Sequence, residues 1–139
     1  MSPDYIAPHI LRSEYACRCC GRIPFDIDTP GHRELFESFA KIRETIGHSL
    51  PINSGFRCVQ HNTAVHGEPL SVHLFGLALD IQAKDDAEVD ELASVVNLRL
   101  PNLRLGVYHR AGTFIHIDTG YHIIPRVCRE WHIGARWAE

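Results

Sequence analysis

Three residues of this 139-residue chain have the types and spacing of a metal site. In "SVHLFGLALDIQ", residues 71–82, His73 and Asp80 are separated only by glycine, alanine and large apolar side chains. His116 follows in "FIHID", with Asp118 two positions beyond it. Two imidazole nitrogens and one carboxylate oxygen suit zinc, and three protein ligands leave the fourth tetrahedral position open, as in a catalytic site. The competing reading of the same residues is structural: His73 caps a turn and Asp80 is a solvated strand residue.

The elements around these residues decide whether they can meet. From Leu77 the side chains alternate, with Leu77, Leu79 and Ile81 on one face of a strand and Ala78, Asp80 and Gln82 on the other. "RLGVYHRAGTFIHID" predicts two strands, Arg104 to Tyr108 and Thr113 to Asp118, joined by a turn containing Gly112. In the second, Ile115 and Ile117 share the core face, and Phe114, His116 and Asp118 share the opposite one. Thr29-Pro30 predicts an N-cap and first helical position, followed by an apolar stripe of Leu35, Phe36, Phe39, Ile42 and Ile46 that Gly47 ends. A short strand is expected over Leu50 to Asn53, while "CVQHNTAVHG" fits either a short helix or a loop. Asp85 and Asp86 can cap a helix whose buried stripe is Val89, Leu92, Ala93 and Val96. Helices alternating with hairpins predict a small single α+β domain over residues 1–139, with helices packed on an antiparallel sheet. Residues 1–28 form its cysteine-containing N-terminal segment.

Composition removes several classes of function. Hydrophobic content of 45% and charged content of 22% are those of a globular domain. A net charge of -3 without a dense basic run argues against nucleic acid as the partner. No apolar run approaches the ~20 residues of a membrane span. Pro3, Asp4 and Pro8 stand where a signal peptide needs a basic start and an apolar block, so the expectation is synthesis in the cytoplasm, followed by release or by action inside the cell. Five cysteines leave at least one thiol unpaired within the chain. Cys17, Cys19 and Cys20 crowd together, Cys58 and Cys128 stand apart, and two C-x2-C pairs are absent, so these read as reduced thiols rather than a zinc knuckle.

"SGFR", "SVHLFGLALD" and "GVYHRAGTFIHIDTG" resemble, in order and spacing, the zinc D-alanyl-D-alanine carboxypeptidase family, whose relatives include D-Ala-D-Ala dipeptidases, phage endolysins and the zinc domain of hedgehog proteins. The resemblance runs from about Phe36 to Gly120; the cysteine-rich segment and "RVCREWHIGARWAE" match less well. It implies a hedgehog/D-Ala-D-Ala peptidase-like fold and one Zn2+ per chain on the sheet face, held by His73, Asp80 and His116. It further implies hydrolysis of bonds involving D-amino acids in peptidoglycan stem peptides, by a monomer. Arg57 falls where the family binds the substrate carboxylate or the developing oxyanion. Ser54 and Ser71 are positioned to support the ligands, Tyr108 to line the pocket, and Gly76 and Ala78 to let the chain approach the metal.

The chain departs from better-known members just before the last ligand. A carboxylate or histidine there acts as general base, and Thr113 and Phe114 cannot. Asp118 is the natural substitute, either as the base or as a carboxylate that orients a histidine ligand. His109 and His66 are next in line. Without the usual base, the alternative function is a zinc-stabilised binding module that has lost turnover. The choice between carboxypeptidase, dipeptidase and endopeptidase rests on the loops "CVQHNTAVHGEPL" and "GYHIIPRV".

Overall fold

The computed structural model describes residues 4–123 and 131–139. Cys128 and the second half of the "GYHIIPRV" loop, residues 124–127, lie outside the described residues. In chain order the elements are β1 (Tyr5–Ala7), β2 (Ile10–Leu11), α1 (Arg12–Tyr15), α2 (Pro30–Ile46), β3 (Ile52–Ser54), α3 (Val59–Ala64), a one-turn 3-10 helix (Val72–Phe75), β4 (Ala78–Gln82), α4 (Asp86–Arg99), β5 (Arg104–Tyr108), β6 (Phe114–Asp118), a second 3-10 turn (Gly120–His122) and β7 (Arg136–Ala138).

Local signals set the helix ends. The Thr29 side chain accepts the His32 N–H and Pro30 opens α2, while Asp85 accepts the Glu88 N–H at the start of α4. These caps satisfy amide groups that the first turn of a helix leaves without partners. "CVQHNTA" resolves as a helix because the Cys58 sulfur caps it by accepting the His61 N–H.

The five-stranded sheet has the order β3-β4-β6-β5-β7. Four strands run antiparallel to their neighbours as expected, whereas β7 joins the β5 edge in parallel and makes the sheet mixed. Parallel pairing needs a long crossover, which residue alternation within a strand does not report. The two edge strands, β3 and β7, have three residues each, and the β3 pairing carries a register irregularity between Ile52 and Ser54.

Helices α2 and α4 cover one face. Leu35, Phe39 and Ile42, with Val89, Leu92 and Val96, bury against Leu79, Ile81, Leu105, Ile115 and Ile117 of the sheet. Fully burying such a side chain contributes about 1.5–3 kcal/mol. Leu77 departs from its expected face: it lies before β4 and packs with Val72, Ala78 and Trp131 on the other side of the sheet.

Between the 3-10 turn and β4 the chain reverses through Gly76, whose φ of +69° is in the left-handed region. A Cβ there would collide with the Tyr15 hydroxyl and the Pro24 ring, and the Tyr15 hydroxyl donates to the Gly76 carbonyl at 2.6 Å. Gly76 therefore serves the turn that delivers His73, rather than an approach to the metal. Left-handed backbone alone costs a residue with a side chain about 1–2 kcal/mol. Gly76→Ala is predicted to lower the unfolding free energy by more than about 2 kcal/mol, seen as a lower urea midpoint at unchanged slope.

Candidate active site

Asp80 and His116 are direct cross-strand partners in the β4–β6 pairing. Their side chains leave the same sheet face, with Cβ atoms roughly 5 Å apart. His73 arrives from the 3-10 turn, where the Ser71 hydroxyl accepts its N–H at 3.2 Å.

Each histidine has one ring nitrogen committed elsewhere. His73 Nδ1 donates to the Gly55 carbonyl at 2.6 Å, which turns Nε2 toward Asp80 Oδ1 at 3.2 Å. His116 Nε2 donates to Asp118 Oδ2 at 2.6 Å, which turns Nδ1 toward the same Asp80 oxygen at 2.9 Å. Two imidazole nitrogens and a carboxylate oxygen thus converge, within 4.8 Å of one another. Lone pairs so arranged repel unless a cation lies among them. Zinc bonds of about 2.0–2.1 Å give a tetrahedral edge of about 3.3 Å, so the donor set fits zinc in both chemistry and size.

Without metal, a proton meets this requirement at His116. Burial pushes its imidazole down, but hydrogen bonds to Asp118 and Asp80 and the charge of both carboxylates outweigh burial and hold the pKa at about 9. Burial likewise pushes the Asp80 carboxyl up, and the charges and hydrogen bonds of His73 and His116 overcome it, holding the group well below the usual carboxylate range. A metal held by these donors would compete with that proton.

Two arginines flank the donor set. Arg57 donates to Ser54 Oγ through Nε (3.1 Å), to Asn62 Oδ1 through Nη1 (3.0 Å) and to Asp80 Oδ2 through Nη2 (3.4 Å). Its last contact holds the second Asp80 oxygen, leaving the first for the histidines. Ser54 therefore supports Arg57 rather than a ligand directly. On the other side Arg104 Nη1 lies 3.1 Å from Asp118 Oδ2, and the Gly120 N–H donates to Oδ1 at 2.9 Å. Asp118 has no exposed surface, and it contacts the His116 nitrogen that points away from Asp80.

The donor set opens into a cleft of about 730 Å³ whose wall includes Arg57, His66, Glu68, Tyr108, Trp137 and Glu139. Tyr108 lines this cleft and also packs: its ring stacks on Phe114 with centroids 4.4 Å apart, and its hydroxyl accepts the Trp137 indole N–H at 2.7 Å. Trp137 lies 5.2 Å from the His116 ring, in space left by Gly106, where a Cβ would strike the indole. His109 instead pairs with Asp86 and Asp90 on α4, on the exposed surface.

Arg104, Asn62, Glu68, Trp131, Trp137 and Glu139 were not identified from sequence as parts of the site. Arg104 carried a usable signal, because it shares strand parity with Gly106 and Tyr108. Its guanidinium lies 5.0 Å from the Trp137 ring centroid, and its Nε is the buried side-chain polar atom without a partner among the described residues.

A small α+β domain with a largely buried His, Asp, His donor set at the floor of a cleft has the construction of a metallopeptidase. The sequence profile of the Peptidase M15 family matches residues 8–118, and the chain belongs to that family of zinc-dependent, D-Ala-D-Ala carboxypeptidase-like metallopeptidases. The matched span includes the cysteine-rich segment that the motif resemblance had left as a weaker match. No curated protein matches the chain.

Removing one member of a buried ion pair leaves the other charge uncompensated, at about 3–5 kcal/mol. Arg104→Met is therefore predicted to destabilise the metal-free protein by about that amount, measured by urea unfolding. Arg104→Lys, which keeps the charge, should cost clearly less.

Proposed function

We propose that this protein is a zinc metallopeptidase hydrolysing peptide bonds that involve D-amino acids in bacterial peptidoglycan stem peptides, acting as a monomer with one zinc at His73, Asp80 and His116. The observation that carries the reading is the convergence of three donor atoms on one point, each held from behind by Gly55, Arg57 or Asp118. When bound, zinc supplies a Lewis acid that polarises a carbonyl and lowers the pKa of water.

The protein's own groups divide the remaining work. A guanidinium has five N–H donors, and Arg57 commits three of them to Ser54, Asn62 and Asp80. The others are available to a terminal carboxylate or to a carbonyl oxygen gaining negative charge. Trp137 and the stacked Tyr108–Phe114 pair give the cleft an apolar wall for the peptide.

Of the two roles open to Asp118, the geometry favours orientation of His116. Both of its oxygens already accept hydrogen bonds and it is buried behind the ring. Proton acceptance then falls to the cleft wall, where His66 and Glu68 stand on the loop before the 3-10 turn. His66 has a φ of 58°, uncommon for a residue with a side chain and frequent at functional positions. The reading as a non-catalytic binding module draws on the same burial of Asp118, whose carboxylate is already committed to His116, Arg104 and Gly120.

Incubating zinc-loaded protein with purified muropeptides separates these readings. Cleavage that Asp80→Asn abolishes supports the peptidase; intact muropeptides with zinc bound support the binding module. Fragment masses identify carboxypeptidase, dipeptidase or endopeptidase action.

Asp118→Asn is expected to weaken zinc binding by roughly 10–100-fold, with activity restored by added zinc. Failure of excess zinc to restore a fully zinc-loaded variant would instead identify Asp118 as the base. Arg57→Lys retains charge but not the planar fork, and kcat/KM at saturating zinc is expected to fall at least about tenfold with little loss of thermal stability.

A further inference from the structure

Four of the five cysteines meet at a second place. Cys17, Cys19 and Cys20 follow α1, and Cys58 follows Arg57 in the loop that enters α3. All four sulfurs lie within 4.8 Å of one another. Cys17 is 3.8 Å from Cys19 and 3.6 Å from Cys58, and Cys19 is 3.4 Å from Cys58. These separations far exceed a disulfide bond of about 2.05 Å, and all four thiols are free. They approximate the edge of a zinc tetrathiolate, about 3.8 Å for Zn–S bonds of about 2.3 Å.

The backbone is arranged around the same point. The loop closes through Cys17 N–H to the Arg22 carbonyl and Gly21 N–H to the Cys17 carbonyl, both 2.8 Å. The Cys58 N–H points at Cys17 Sγ and the His61 N–H at Cys58 Sγ, each at 3.4 Å. Amide donors aimed at sulfur favour thiolate over thiol. Cys17 and Cys20 supply one C-x2-C pair, while Cys19 and the remote Cys58 take the place of a second.

We propose that Cys17, Cys19, Cys20 and Cys58 bind a second zinc ion as a closed structural site. Four protein ligands leave no position for substrate. The ion ties the N-terminal segment to the residue beside Arg57, and Cys58 also caps the helix that carries Asn62, itself a partner of Arg57. Its role is to hold the loop that presents Arg57 to the cleft.

The test uses the full chain purified with zinc. Elemental analysis should find two zinc ions in the wild type, one in His73→Ala/His116→Ala, and one in Cys19→Ser/Cys20→Ser. Replacing zinc with cobalt in the histidine variant should give thiolate-to-cobalt charge-transfer absorption in the near ultraviolet, absent from the cysteine variant. If the cysteine variant does not fold, the histidine variant alone decides. A folded histidine variant without metal overturns the proposal, as does an intact mass showing these four thiols joined as two disulfides.

Discussion

The site depends on one register. Because Asp80 lies directly opposite His116 across β4 and β6, a carboxylate and an imidazole leave the sheet side by side. A slip of one residue would send both to the helix-covered face, among Leu79, Ile81, Ile115 and Ile117, where neither charge could be compensated. The core therefore enforces the site: each strand's apolar residues fix its alternation, and that alternation fixes where the donors point. His73 is the only donor outside the sheet, and its position follows from the Gly76 turn and from the Gly55 carbonyl that holds its ring.

Around the donors lies a second layer of alternating charge. Arg57 holds one oxygen of Asp80, Asp118 holds the far nitrogen of His116, and Arg104 neutralises Asp118. Buried charges are tolerated here because each has a partner of opposite sign with hydrogen bonds in place. A metal held by these donors would take the place of a proton on His116, and the hydrogen bonds of the outer layer are already made in its absence.

Much of this was legible in the sequence because it rests on local periodicity. The alternation of Leu79 and Ile81 against Asp80, and of Ile115 and Ile117 against His116, located both strands and the face of their donors. Thr29-Pro30 and Asp85 located the helix starts for equally local reasons. What escaped depends on distant contacts. The pairing of β7 with β5 brings Trp137 beside His116, and nothing near Trp137 in sequence announces it. Cys58 stands 41 positions from Cys17, so spacing alone left the sulfurs as separate thiols. Asp118 was placed on the correct face, but its role turns on Arg104, whose contribution appears only when β5 and β6 are paired.

The short strands at the margins of the sheet bear on how the protein behaves among copies of itself. An exposed strand margin is a row of unpaired amide and carbonyl groups onto which another chain can add. Here one margin is β3, three residues long and irregular in register, and the other is β7, also three residues long. The longer strands β4, β5 and β6 are enclosed between them. The sheet thus offers little template for edge-to-edge growth.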